Sequence, residues 1–216
     1  MTISWYGQSC FRIDTREATM AIDPFSKEIG LTPPHFKADV LLLTHQHPDH
    51  ANAGAIPGEP FLVAGPGEYE TRGISITGIP TFHDRKQGNE RGLNTAYRIA
   101  LAAEGIVLAH LGDFGEEALR EETLEAIGDI DILFIPVGGT YTIDGETAAK
   151  VVNQIEPRLA IPMHYALAGL KVKLAPVDDF LKAYGTRGAE RLQKLSLKKK
   201  ELPEEETRVV ILTAGA

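Results

Sequence analysis

The segment Thr44-His45-Gln46-His47-Pro48-Asp49-His50 places three imidazoles and a carboxylate within six positions. Imidazole nitrogen and carboxylate oxygen together suit zinc, manganese or iron, and four such groups exceed what one ion usually draws from so short a segment. Three of the chain's seven histidines crowd here around an aspartate, so a metal site is a better account than a polar loop that is histidine-rich by accident. If the preceding strand continues, side-chain alternation points His45 and His47 the same way. Pro48 would then break that strand and let Asp49 and His50 turn in from the following loop.

The elements that must position such groups are strands. Val40-Leu41-Leu42-Leu43 is short, apolar and ends at a turn, the pattern of a buried strand delivering the cluster. Three other strand-like runs also end in potential ligands: Ile74–Ile79 leads to His83, Ile106–Ala109 to Asp113, and Leu159–Ile161 to His164. Loops converge at strand ends in α/β sheets, which is where ligands bind. Singly, His83 and His164 would be ordinary core or surface histidines, and Asp113 a helix N-cap. Together, His45, His47, Asp49, His50, His83, Asp113 and His164 can hold two ions, with three neutral imidazoles on one, a mixed set on the other and a bridging carboxylate. Two ions about 3.5–4 Å apart generate a hydroxide at neutral pH and stabilise attacking and leaving oxygens.

The remaining pattern predicts strands over 2–6, 10–14, 18–23, 61–64, 95–100, 131–136 and 208–213, with a polar, glycine-punctuated, mobile loop over 84–93. Helices are expected at 51–56, 116–127, 145–155 (capped by Asp144) and 176–184 (opened by Pro176, closed by Gly185). The strand order of 95–136 echoes that of 9–43, so two related halves, each with helices, should form two sheets packed face to face. Lys198–Lys200 and Glu204–Glu206 read as a solvated linker, and His35 as a surface residue.

With 216 residues, one substantial core and one domain over 1–216 are expected. The formal net charge of -8 argues against a broad nucleic-acid surface. The single cysteine, Cys10, cannot form an intrachain disulfide, and no apolar run approaches the roughly 20 residues of a membrane helix. The N-terminus lacks the basic and apolar regions of a signal peptide. These features predict a cytoplasmic protein with no membrane or nucleic-acid partner; homo-oligomerisation stays open.

The motif His-Xaa-His-Xaa-Asp-His at 45–50, followed in order by His83, Asp113 and His164, resembles the metallo-β-lactamase superfamily. Gly7-Gln8-Ser9-Cys10-Phe11, His110-Leu111-Gly112-Asp113 and Ile161-Pro162-Met163-His164-Tyr165 are similar to its branch of small Zn-dependent hydrolases that includes ascorbate-6-phosphate lactonase. The resemblance implies a four-layer αββα sandwich of two mixed β-sheets with a dinuclear site at the sheet edge. It also implies that His45, His47 and His83 bind one metal, that Asp49, His50 and His164 bind the other, and that Asp113 bridges them. Zinc is the first expectation, with manganese or iron as alternatives. A metal-bound hydroxide would hydrolyse a small ester, lactone or phosphoester, with Asp49 and Asp113 as the catalytic carboxylates.

Relatives in this branch commonly carry His where this chain has Gln8, which can hydrogen-bond but cannot act as acid or base. Asn94, Tyr141 and Tyr165 are candidate substrate contacts near the rim or, equally, packing residues; Arg85, Lys86 and Arg91 could attract an anion, and His110 belongs in the core or behind the ligands. The alternative function is a metal-binding regulatory protein without turnover. A redox di-iron role of the flavodiiron type is disfavoured, because Gln46 stands where those relatives carry Glu.

Overall fold

Alternating apolar residues fold the N-terminus into strands: in Thr2–Gly7, Ile3 and Trp5 are buried between half-exposed neighbours, and in Cys10–Asp14, Phe11 and Ile13 are buried. The computed structural model describes residues 1–186 and 188–215. Its strands are β1 (Thr2–Gly7), β2 (Cys10–Asp14), β3 (Thr19–Ile22), β4 (Val40–Leu42), β5 (Phe61–Val63), β6 (Gly67–Thr71), β7 (Ile74–Phe82), β8 (Leu93–Leu101) and β9 (Ile106–His110). There follow α1 (Glu121–Ile127), β10 (Ile132–Pro136), α2 (Gly145–Ile155), β11 (Leu159–Met163), α3 (Val177–Tyr184), β12 (Glu190–Leu192), β13 (Lys194–Ser196) and β14 (Arg208–Leu212).

The strands form two mixed sheets, ordered β13-β1-β2-β3-β4-β5 and β12-β14-β11-β10-β9-β8-β7-β6. The echo between halves is a repeat of strand pairing. Antiparallel β2–β3 is followed by β4 and β5 added in parallel, and antiparallel β8–β9 by β10 and β11 added in parallel. The sheets meet through fully buried side chains such as Phe11 and Phe134, whose ring centroids are 4.5 Å apart. Burying one such side chain contributes about 2–3 kcal/mol.

The fold is the expected αββα sandwich, but the helices are unevenly shared. All three α-helices among the described residues lie in the second half, where α1 packs on β7 and α2 on β10. The outer face of the first sheet, Ala21 and Leu41, is covered instead by Phe36 and Ile56 from loops. The helix expected at 51–56 is a single 3-10 turn, Ala53–Ala55. Its start is held by Asn52, which donates to the carbonyls of Pro24 and Phe25.

The helix expected from Glu116 begins only at Glu121. Glu116 is drawn away, accepting a hydrogen bond from the Phe82 N–H and pairing with Arg120. By contrast, α2 spans the expected residues, with Asp144 Oδ1 accepting from the Thr147 N–H at 2.8 Å. Strands β6, β12 and β13 escaped the hydrophobic pattern because they are short, polar edge or near-edge strands. The basic run is not wholly solvated, since Lys199 Nζ lies 2.7 Å from Asp131 Oδ2. Among the described residues, no helix is long and apolar enough to cross a membrane.

Candidate metal centre

All seven candidate ligands converge where the loops after β4, β7, β9 and β11 meet. Strand alternation is not the cause for His45 and His47, because β4 already ends at Leu42. The segment 44–50 is instead a loop closed by N–H groups of His50 and Ala51 donating to the His47 carbonyl. Donor atoms of His45, His47 and His83 form one group within 4.8 Å of one another, and those of Asp49, His50 and His164 form a second.

Asp113 lies between the groups. Its Oδ2 is 3.3 Å from Nε2 of both His83 and His164 and 3.9 Å from His45 Nε2, and its Oδ1 is 3.3 Å from His50 Nε2. The sequence places it there with Gly112, whose φ is +56°; a Cβ on Gly112 would stand 2.4 Å from Asn94 Oδ1 and 2.7 Å from Thr44 Cβ. The Asp113 N–H donates to Asn94 Oδ1 at 2.9 Å. Helix α1 starts only at Glu121 with Arg120 at its N-cap, so Asp113 caps no helix.

Asp23, a residue not singled out in the sequence, sets two of the imidazoles. The Thr44 hydroxyl donates to Asp23 Oδ2 at 2.6 Å. Its one proton thus spent, that hydroxyl can only accept from His45 Nδ1 at 2.9 Å. Asp23 Oδ2 also accepts from His50 Nδ1 at 3.1 Å. Both rings carry the proton on Nδ1, leaving an Nε2 lone pair directed into the cluster. Those Nε2 atoms are buried with no hydrogen-bond partner among the described residues. Two ligands about 2.0–2.1 Å from a tetrahedral zinc lie about 3.3 Å apart, the spacing seen around Asp113. The donor set therefore fits divalent metal ions. Asp23, His45 and His50 also lie close enough to form a third group, but Asp23's oxygens are already engaged, so it serves as support.

The charges agree. Burial, with the neighbouring His50, pushes His45 down to about 3, so it is neutral. Burial opposes charge on His50, yet Asp113, Asp23 and Asp49 raise it well above the ordinary histidine value. Burial would raise Asp113, but the surrounding imidazoles, His164 and His50 foremost, hold it well below the usual carboxylate range. The carboxylates thus draw positive charge to the cluster, a demand that either a proton on His50 or a divalent cation meets.

Gln8 also belongs to the centre. Its Nε2 donates to Asp49 Oδ2 at 3.2 Å and lies 3.4 Å from His164 Nε2, while its carbonyl accepts the His164 N–H at 3.0 Å. Gln8, Asp23 and His164 all have positive φ, at 48°, 46° and 53°, backbone strain of the kind concentrated at functional sites.

Other expectations fare differently. His110 is buried, with Nε2 donating to the Ser9 carbonyl and Nδ1 accepting from the Gly112 N–H, so neither nitrogen is free. Asn94 is not at a rim: buried, it donates to Thr81 Oγ1 and the Leu111 carbonyl. Tyr165 is also buried, its ring 4.9 Å from that of Trp5. Tyr141 is 41% exposed and, with Arg91, lines a cavity of about 800 Å³ that opens onto His47, Asp49, His83 and Asp113. Arg85 and Lys86 line a smaller neighbouring cavity. The loop that carries them is gathered around Asp84, whose carboxylate accepts four backbone N–H groups.

Comparison with known proteins gives concordant results. A family model described as a β-lactamase superfamily domain matches residues 2–164. A UPF0173 metal-dependent hydrolase from Geobacillus thermodenitrificans is 31% identical over 199 residues, covering 76% of this chain and 85% of the relative. A UPF0173 protein from Pyrococcus furiosus is 30% identical over 185 residues, covering 76% and 83%. A crystal structure of a candidate Zn-dependent hydrolase of the metallo-β-lactamase superfamily, from Thermotoga maritima, is 37% identical with a TM-score of 0.80, covering 98% of this chain and 97% of that one.

Proposed function

This chain belongs to the β-lactamase superfamily, and from that premise we propose that it is a metal-dependent hydrolase using two divalent ions, zinc foremost, to cleave a small ester, lactone or phosphoester. The observation that carries the reading is the position of Asp113, one buried carboxylate within 3.3 Å of imidazoles from both donor groups. His45, His47 and His83 would hold one ion, Asp49, His50 and His164 the other, and Asp113 would serve both. Such ions, when bound, supply Lewis acidity and bring the pKa of a water toward neutrality.

The chain's own groups divide the remaining work. The Asp113 side chain is 3% exposed and walled in by imidazoles, whereas that of Asp49 is 24% exposed at the cavity. Asp49 is therefore the carboxylate able to orient a nucleophilic water and accept its proton. Gln8 fixes Asp49 by donating to Oδ2 and leaves Oδ1 without a protein hydrogen bond among the described residues. Asp23 keeps His50 in one tautomer directly and His45 through Thr44. The cavity of about 800 Å³ suits a small-molecule substrate.

Protein purified without chelator should hold close to two ions of Zn, Mn or Fe per chain. It should also hydrolyse at least one member of a panel of phosphodiesters, thioesters and lactones, with turnover abolished in Asp113→Ala. Failure to take up metal even after reconstitution would contradict the proposal. Full metal content without turnover across the panel would favour a binding or regulatory role.

A further inference from the structure

The cavity above Asp49 and Asp113 has cationic walls on an acidic protein. The chain carries 30 acidic against 22 basic residues, yet Arg91, Lys171 and Lys173 all line this cavity, against one exposed carboxylate there, Glu28. Among the described residues, no carboxylate lies within ion-pair distance of any of the three cations. Three unneutralised cations gathered at one mouth are not what a solvated surface of net charge -8 would produce by default.

Their placement is built into the backbone. The segment after His164 docks on the Ser26–Leu31 region: the Lys171 N–H donates to the Ile29 carbonyl at 2.8 Å, and Leu170 and Val172 pack beside Phe25 and Ile29. Gly30 allows the approach, since a Cβ there would stand 2.2 Å from the Gly169 carbonyl oxygen. Leu170 and Val172 are half-buried while Lys171 and Lys173 are exposed, and both lysines line the cavity. On another part of the wall, Arg91 donates to the Thr140 carbonyl at 3.3 Å and lies over the Tyr141 ring, 5.5 Å from its centroid. Ile29, Pro48, Val172 and Tyr141 add apolar surface to the lining of the same cavity.

We infer that this mouth is an anion subsite, and that the substrate carries a phosphate or carboxylate on an apolar stem, its anion held by Arg91, Lys171 and Lys173 and its scissile bond at Asp49 and Asp113. The inference rests on the hydrolase reading and narrows its substrate class. Guanidinium and ammonium groups both bind phosphate and carboxylate, with Arg favouring bidentate geometry.

The test titrates hexyl phosphate, hexanoate and 1-hexanol into metal-loaded protein by calorimetry. At least one anion should bind tenfold or more tightly than the alcohol, and the order of the two anions tells phosphate from carboxylate. Lys171→Gln/Lys173→Gln and, separately, Arg91→Gln should each weaken that anion about tenfold at unchanged metal content, while Lys182→Gln on α3 should not. Anions that bind no tighter than hexanol, or undiminished in both variants, would overturn the inference. Turnover of uncharged 4-nitrophenyl acetate by wild type separates the two claims. Anion preference without any turnover upholds the subsite and counts against the hydrolase, and turnover without anion preference does the reverse.

Discussion

The two donor groups around Asp113 are equally crowded but unequally supported. In the group of Asp49, His50 and His164, Gln8 Nε2 reaches Asp49, Asp23 holds His50 Nδ1, and Gln8 holds the His164 backbone, although His164 Nδ1 is unpartnered among the described residues. In the group of His45, His47 and His83, only His45 has a comparable brace, Thr44, while His47 is half-exposed at the cavity and His83 Nδ1 is unpartnered among the described residues. Partners behind a ligand fix its tautomer and direction and hence its affinity for metal. The deeper group is thus preorganised by residues that follow the N-terminal strands β1 and β3, whereas the all-imidazole group depends more on the ion itself.

The comparison is broken most completely at the residue both groups share. Asp113→Ala should lower metal content below one ion per chain and reduce turnover by at least about 10³-fold, the scale expected when a main electrostatic element is lost, as read by elemental analysis and steady-state kinetics. The next largest effects separate the groups. His50→Ala and His47→Ala should each cost about one ion per chain, and stepwise chelation of wild type should release the ion held with His47 first; release in a single step would erase the distinction between the groups. Asp23→Ala leaves every ligand in place but frees two rings, so metal affinity should fall about 10–100-fold, with activity recovered in excess metal. Smallest is Gln8→Ala. It should leave two ions bound, reduce kcat less than about tenfold and lower Tm by about 2–4 °C, the equivalent of roughly 1 kcal/mol for a lost hydrogen bond.

The convergence of His45, His47, Asp49, His50, His83, Asp113 and His164 was legible because ligand types at strand ends are a local pattern, and short apolar runs such as Val40–Leu43 mark those ends. What supports the cluster was harder to read. Asp23 also follows a strand, β3, but as a lone carboxylate before Pro24 it looks like a turn residue. Only the parallel pairing of β3 with β4 brings it beside Thr44. For Asn94 and Tyr165 the packing alternative holds; the sequence left it level with a rim position because the direction a side chain takes depends on register and backbone conformation, which composition does not reveal. The same limit hid the alternation of Leu170–Lys173, which becomes visible only once Lys171 is tied to Ile29.

X-ray absorption at the metal edge of the reconstituted protein bears most directly on a centre in which Asp113 serves two ions. Two ions per chain should give a metal–metal vector of about 3.5–4 Å, and Asp113→Ala should abolish it. Saturation at one ion per chain, or a metal–metal vector that survives loss of the Asp113 carboxylate, would contradict a shared dinuclear centre.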